Sequence, residues 1–204
     1  MSVQDRMPGT RTASRVETTS TASPSGTRAR RAGSVRAQVL AVLRIMMGLT
    51  FLWAFFDKTF GLGYATPSAQ AWVNGGSPTS GFLGHVQVGP MQSVLRDWAG
   101  SGFVDWLFMI ALLGIGLALL LGIGMRVAGI SAVLLLAFMW IAEWPPAQLD
   151  SAGAATSSTN PVIDSHLVYI VVVIALVLYA AGDTWGLGRW WARLGIVDRN
   201  RWLR

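Results

Sequence analysis

Residues 106–125 read WLFMIALLGIGLALLLGIGM, twenty positions without a charge between Asp105 and Arg126. A helix rises about 1.5 Å per residue, so about 20 apolar residues match the ~30 Å hydrocarbon layer of a bilayer. Three other segments have the same character. Residues 37–56 are broken only by Arg44 and end against Asp57 and Lys58. Residues 127–144 hold Glu143 next to last and stop at Pro145 and Pro146, and residues 162–182 carry Asp164 and His166 in their first turns. The expected fold is an all-α integral membrane protein, a bundle of four transmembrane helices within residues 35–191. Segment 57–104, the first outer loop, is expected to form short interfacial helices, because 67–73 and 90–98 each begin with proline and are soon followed by glycine. Asn160-Pro161 reads as a cap and first-turn proline for the fourth helix.

The remaining composition agrees. Of the 204 residues, 52% are hydrophobic and only 13% charged, where a soluble domain carries about 25% charged residues. A soluble enzyme of ordinary composition is excluded. The chain has no cysteine, so disulfides, thiolate metal sites, cysteine-held iron–sulfur clusters and a cysteine nucleophile are excluded as well. No motif indicates haem or a metal. A histidine-based metal cluster would need carboxylates from another helix, since His85, the only other histidine, lies in a distant loop.

The net charge of +6 is concentrated in the tails. Residues 1–34, rich in Ser, Thr, Ala, Gly and Arg, have too little apolar surface to offset the entropy of ordering and are expected to be disordered. Residues 192–204 form a second basic tail. Arg residues in both tails and Arg126 in the turn between the second and third helices fall on one side of a four-span chain, against Lys58 and Arg96 on the other. Basic residues stay preferentially in the cytoplasm, so a multi-pass protein of the plasma (inner) membrane with both termini cytoplasmic is expected, its tails touching anionic lipid. Nucleic acid is not an expected partner, because the charge is dispersed without a folded basic face.

Ionisable residues at membrane depth are the candidates for chemistry. On a 100° wheel Arg44, Gly48, Phe51, Phe55 and Lys58 share one face, opposite Thr50, Trp53 and Asp57. The first face is a candidate wall for a quinone or an anion; the competing reading has Arg44 snorkel to the headgroups. His166, with Tyr169 beside it, is a candidate proton carrier, the alternative being a capping histidine bonded to a neighbouring carbonyl. Asp57, Asp105, Glu143 and Asp164 lie at outer helix ends and make the outer mouth negative, although helix-end solvation also explains them. Gly114, Ala118, Gly122 and Arg126 recur every four residues and suggest close helix packing. Arg126 itself reads as a headgroup contact or a dipole partner at a helix C-terminus.

Several of these stretches together resemble the DoxX family of small four-helix membrane proteins, which includes the DoxD subunit of thiosulfate:quinone oxidoreductase. They are Leu43-Arg44 with Gly48 and Phe51, then Asp57-Lys58; the run GLALLLG at 116–122 followed by Arg126; Asn160-Pro161 with His166 and Tyr169; and WGLGRWW at 185–191. One departure is the lack of a Glu in the second helix shortly before the GLALLLG run, where this chain has Met109 to Leu113. The resemblance implies a membrane subunit linked to quinone, sulfur or oxidative-stress metabolism. In that reading His166 and Tyr169 are catalytic, Arg44, Lys58, Asp57 and Arg126 contact quinone or substrate, and Asp105, Glu143 and Asp164 form an outer acidic cluster. Quinone would be the electron acceptor and thiosulfate the donor, with a second membrane or soluble oxidoreductase subunit as partner. Two other classes compete: a non-catalytic scaffold that recruits a soluble enzyme, and a small transporter, which with four helices would need to be a homo-oligomer.

Overall fold

The computed structural model describes residues 24–203, with side chains from Gly33 onward. Residues 1–23 of the tail expected to be disordered lie outside the described residues. From Pro24 the chain is helical: α1 runs Pro24–Phe60 without interruption. Helix α1 thus begins inside segment 1–34, ahead of the apolar run at 37. The reason is local, since Arg and Ala are strong helix formers and a helix nucleated in the apolar segment propagates into them at little cost. Asp57 and Lys58, expected just beyond the helix, lie inside its last turn.

Two 3-10 turns follow, Ser68–Gln70 and Trp72–Asn74, then the short helices α2 (Ser80–Leu83) and α3 (Gln92–Trp98). Segment 57–104 is thus built of short helical pieces, as its proline and glycine spacing suggests. Next come α4 (Gly102–Leu121) and α5 (Met125–Glu143). The second helix had been expected to reach residue 125, but Gly122 adopts φ 72° and closes it, its N–H bonded back to Ala118 at 2.8 Å. Gly124, at φ 56°, opens α5. Only residues without a Cβ enter this left-handed region readily, so the two glycines compress the hairpin into three residues and shift α4 four residues toward the N-terminus.

The fourth helix, expected over 162–182, is shorter: α6 spans Ser165–Leu178. Asp164, not Asn160, is its N-cap, accepting the N–H of Leu167 at 3.0 Å. Asn160 instead accepts the N–H groups of Val162 and Ile163 and forms a turn ahead of the helix. At the other end Ala180 turns left-handed (φ 48°), and the chain continues as a 3-10 turn, Ala181–Asp183, before α7 (Gly188–Trp191), α8 (Gly195–Arg199) and a last 3-10 turn, Arg201–Leu203. Among the described residues the only β-pairing is an isolated bridge between Leu149 and Ala155.

Among the described residues three helices are long and apolar enough to cross a membrane: Gly33–Phe60 within α1, then α4 and α5. At 14 residues α6 extends about 21 Å and does not reach that length alone. The four long helices pack in a closed ring, α1 on α4, α4 on α5, α5 on α6 and α6 back on α1. Phe51 of α1, Leu112 and Leu119 of α4, Leu136 of α5 and Val173 of α6 meet in the core. The outward faces are apolar too, with Phe103, Ile110, Ile130, Phe138 and Val171 exposed. Helices hydrophobic all round are at home in hydrocarbon rather than water. This is the architecture of a membrane protein.

Candidate functional site at one end of the bundle

The ring brings the C-terminal ends of α1 and α5 together with the N-terminal ends of α4 and α6. The acids of all four helices therefore gather at this end, but they do different things. Asp57 is buried because the chain after α1 folds back over it: its carboxylate accepts the N–H of Tyr64 at 3.3 Å and of Ala65 at 3.0 Å. Asp105, in the first turn of α4, is buried and accepts the Thr79 N–H at 3.0 Å, the Thr79 hydroxyl and the Ser77 hydroxyl at 2.9 Å. Both are ties that hold the 57–104 segment on the bundle, not free surface charges. Among the described residues Lys58 forms no salt bridge; its ammonium lies 5.8 Å from the centroid of the Phe108 ring.

The remaining two acids converge on the histidine. His166 follows the cap of α6 by two residues and is buried, with its Nδ1 2.6 Å from Asp164 Oδ2 and 3.5 Å from Glu143 Oε2. A carboxylate only accepts, so Nδ1 carries the proton donated to Asp164. Asp164 serves twice, since its Oδ1 caps the helix and its Oδ2 holds the ring. Glu143 arrives from a different helix as the last residue of α5, with 45% of its side chain exposed. Ligand-type atoms of Glu143, Asp164 and His166 all lie within 4.8 Å of one another. The expected outer cluster is thus regrouped: Glu143 and Asp164 join His166, and Asp105 is engaged elsewhere. Tyr169, one turn along α6, packs against the hydrophobic core.

Arg44 occupies the opposite end and is fully buried. Its Nε donates to Ala181 O at 3.1 Å, its Nη1 to the carbonyls of Leu119 and Leu120, and its Nη2 to Trp185 O at 2.9 Å and Thr184 O at 3.4 Å. All five guanidinium N–H groups are engaged by backbone carbonyls. Arg44 therefore neither snorkels to a headgroup nor has a donor left for a quinone or an anion. Through the carbonyls of Leu119 and Leu120 it binds the C-terminal end of α4 to the chain after α6. Gly48 and Phe51 of the same face are likewise buried in the bundle. Arg126 is exposed in the first turn of α5, at a helix N-terminus rather than the expected C-terminus, and donates to Arg201 O at 2.9 Å. The residues expected to contact quinone or substrate are therefore divided between the two ends of the molecule.

The grouping of Glu143 and Asp164 at one end is legible in the sequence, but their joining at His166 is not. Ser77 and Thr79 as the holders of Asp105 and the carbonyl socket of Arg44 carry no local signal. Comparisons of the chain with protein families, with curated proteins and with solved structures found no match.

Proposed function

We propose that this chain is a DoxX-like membrane subunit with four crossings that handles protons for a quinone-linked oxidoreductase at the His166 end of the bundle. The observation that carries the reading is the buried His166 whose Nδ1–H is held by Asp164 at 2.6 Å. Fixing the proton on Nδ1 leaves Nε2 as the basic nitrogen, and an imidazole oriented by a carboxylate is suited to take a proton from water and pass it to a quinone that is being reduced to the quinol with electrons from thiosulfate. Glu143, half exposed beside it, is the natural entry for protons from water. The ring packing of α6 against α1 and α5 supports its role as the fourth span, lengthened by the apolar residues Val162, Ile163 and 179–181 at its ends. Three basic segments on one side of that topology favour cytoplasmic termini in a plasma membrane. Thiosulfate remains the donor implied by the family resemblance.

Thiosulfate-dependent reduction of a quinone analogue, compared between membranes with and without the protein, tests the reading. Activity that requires the chain and falls at least tenfold in His166→Ala, the order of a general acid–base contribution, is the expected result. Full activity in that variant would remove the proton role.

A second reading, a non-catalytic scaffold, is favoured by one specific observation: Arg44, Asp57 and Asp105 all spend their polar groups on internal structure. It predicts a defined partner on affinity capture and no reduction attributable to this chain.

A further inference from the structure

We propose that Glu143, Asp164 and His166 form a binding site for one divalent transition-metal ion of the zinc class, open to solvent through Glu143. The inference goes beyond the proton-handling reading and does not rest on it.

Three observations point to a cation. The first is composition of charge. Two carboxylates meet at one histidine nitrogen, and among the described residues no Lys or Arg forms an ion pair with either of them. The second is the placement of Glu143 as the last residue of α5, a helix with no basic residue in its last turn. A helix C-terminus presents its unpaired carbonyls and the negative end of its dipole, where an acid is disfavoured and a cation is favoured. The acid there therefore adds to a local excess of negative potential that nothing on α5 offsets. The third is the origin of the donors. Glu143 comes from the end of α5 and Asp164 and His166 from the start of α6, so the group is assembled by the packing of two helices, not by chance neighbours in one loop.

The geometry fits such an ion. Tetrahedral zinc with bonds of about 2.1 Å holds its ligand atoms about 3.4 Å apart. The Nδ1 to Glu143 separation of 3.5 Å already matches. The Nδ1 to Asp164 separation of 2.6 Å is that of a hydrogen bond, and it opens when the shared proton is replaced by the ion. One nitrogen and two oxygens suit zinc and its neighbours better than calcium or magnesium, which favour all-oxygen shells. Three protein ligands leave a fourth position for water on the exposed Glu143 side. An ion on Nδ1 leaves the ring proton on Nε2, so a loaded site no longer accepts a proton there. Ion binding and proton acceptance are alternative states of this histidine.

The test uses the full-length chain in lipid nanodiscs. Zinc binding is measured by calorimetry, and cobalt is used as a coloured stand-in whose visible absorption reports ligand number and type. The expected result is one saturable ion per chain with a Kd of about 10 μM or tighter, corresponding to about 7 kcal/mol. His166→Ala should abolish the cobalt spectrum. Glu143→Gln, at a half-exposed position that leaves the fold intact, should weaken binding on the order of tenfold or more. Asp150→Asn, an acid outside the group, should leave it unchanged. Absence of saturable binding by the unmodified chain would overturn the proposal, as would equal affinity in Glu143→Gln. Loss of quinone reduction bears only on the proton reading, because the calorimetric signal needs no turnover.

Discussion

Arg44 is the residue on which the packing of the Arg126 end depends. A buried guanidinium is tolerable only where each N–H meets an acceptor, and here five carbonyls from two separated segments supply them. Glycine makes the socket. A Cβ on Gly186 would come within 3.1 Å of Arg44 Nη2, and one on Gly182 within 2.5 Å of the Gly122 carbonyl oxygen. Arg44→Ala should therefore lower stability by about 2–4 kcal/mol, the loss of several charge-assisted hydrogen bonds. Arg44→Lys should recover only part of this, since a lysine ammonium has three donors and no fork. Denaturation in a fixed detergent reads both; an Arg44→Ala variant as stable as the parent would contradict the structural role. A second residue-scale case is Thr79, which gives Asp105 two of its three hydrogen bonds. Thr79→Val removes the hydroxyl while keeping the backbone donor, and should destabilise by about 1–2 kcal/mol, with Thr79→Ser close to the parent. The same denaturation experiment separates them.

At the scale of elements, helix approach is set by where glycine lies relative to a neighbour, not by its spacing alone. The stripe Gly114, Ala118, Gly122 and Arg126 looks like a packing seam in the sequence, yet a Cβ on Gly114 would meet nothing within 4 Å, and Gly122 is the cap that ends α4. Gly114 instead lines an apolar groove between α4 and α5 with Leu107, Ile110, Ala118 and Val127. The seam lies a few positions away. A Cβ on Gly48 of α1 would sit 2.7 Å from the backbone nitrogen of Leu120. Backbone cannot yield as a side-chain tip can, so Gly48→Ala should force α1 from α4 and cost about 1–3 kcal/mol. Gly114→Ala should instead be neutral or stabilising by up to about 1 kcal/mol, from improved helix propensity. Thermal unfolding of the pair gives opposite signs under this account; like signs would contradict it. The elements were legible from hydropathy because each apolar run is long. Their ends were not, because Gly122, Ala180 and Asp164 end or begin helices through backbone conformation and capping that hydropathy does not encode. For the same reason the sequence placed Glu143 and Asp164 at one end of the bundle together with Asp105, but gave no sign that the first two meet at His166 while Asp105 does not, since that depends on how α5 meets α6.

At the scale of the whole molecule, the topology turns on the crossing of α6. Its 14 residues fall short of a typical span, but it closes the ring between α1 and α5, and its outward residues Val168, Val171 and Leu178 are exposed and apolar. A helix held in a bundle can cross with fewer residues when the layer thins locally or when non-helical apolar residues extend it. If α6 crosses, the segment between α5 and α6 and the C-terminal segment lie on opposite sides of the membrane. If it does not, they share a side. The chain has no cysteine, so single substitutions report without background. Ser151→Cys and Asn200→Cys both replace exposed residues. In sealed, right-side-out vesicles a membrane-impermeant maleimide should label Ser151→Cys at once and Asn200→Cys only after the membrane is opened. That labelling pattern would place the His166 group, and any ion it binds, on the outer face, with the basic tail at the inner leaflet. Equal labelling of both sites in sealed vesicles would mean that α6 returns without crossing, and the four-span topology would give way to three crossings with a re-entrant helix.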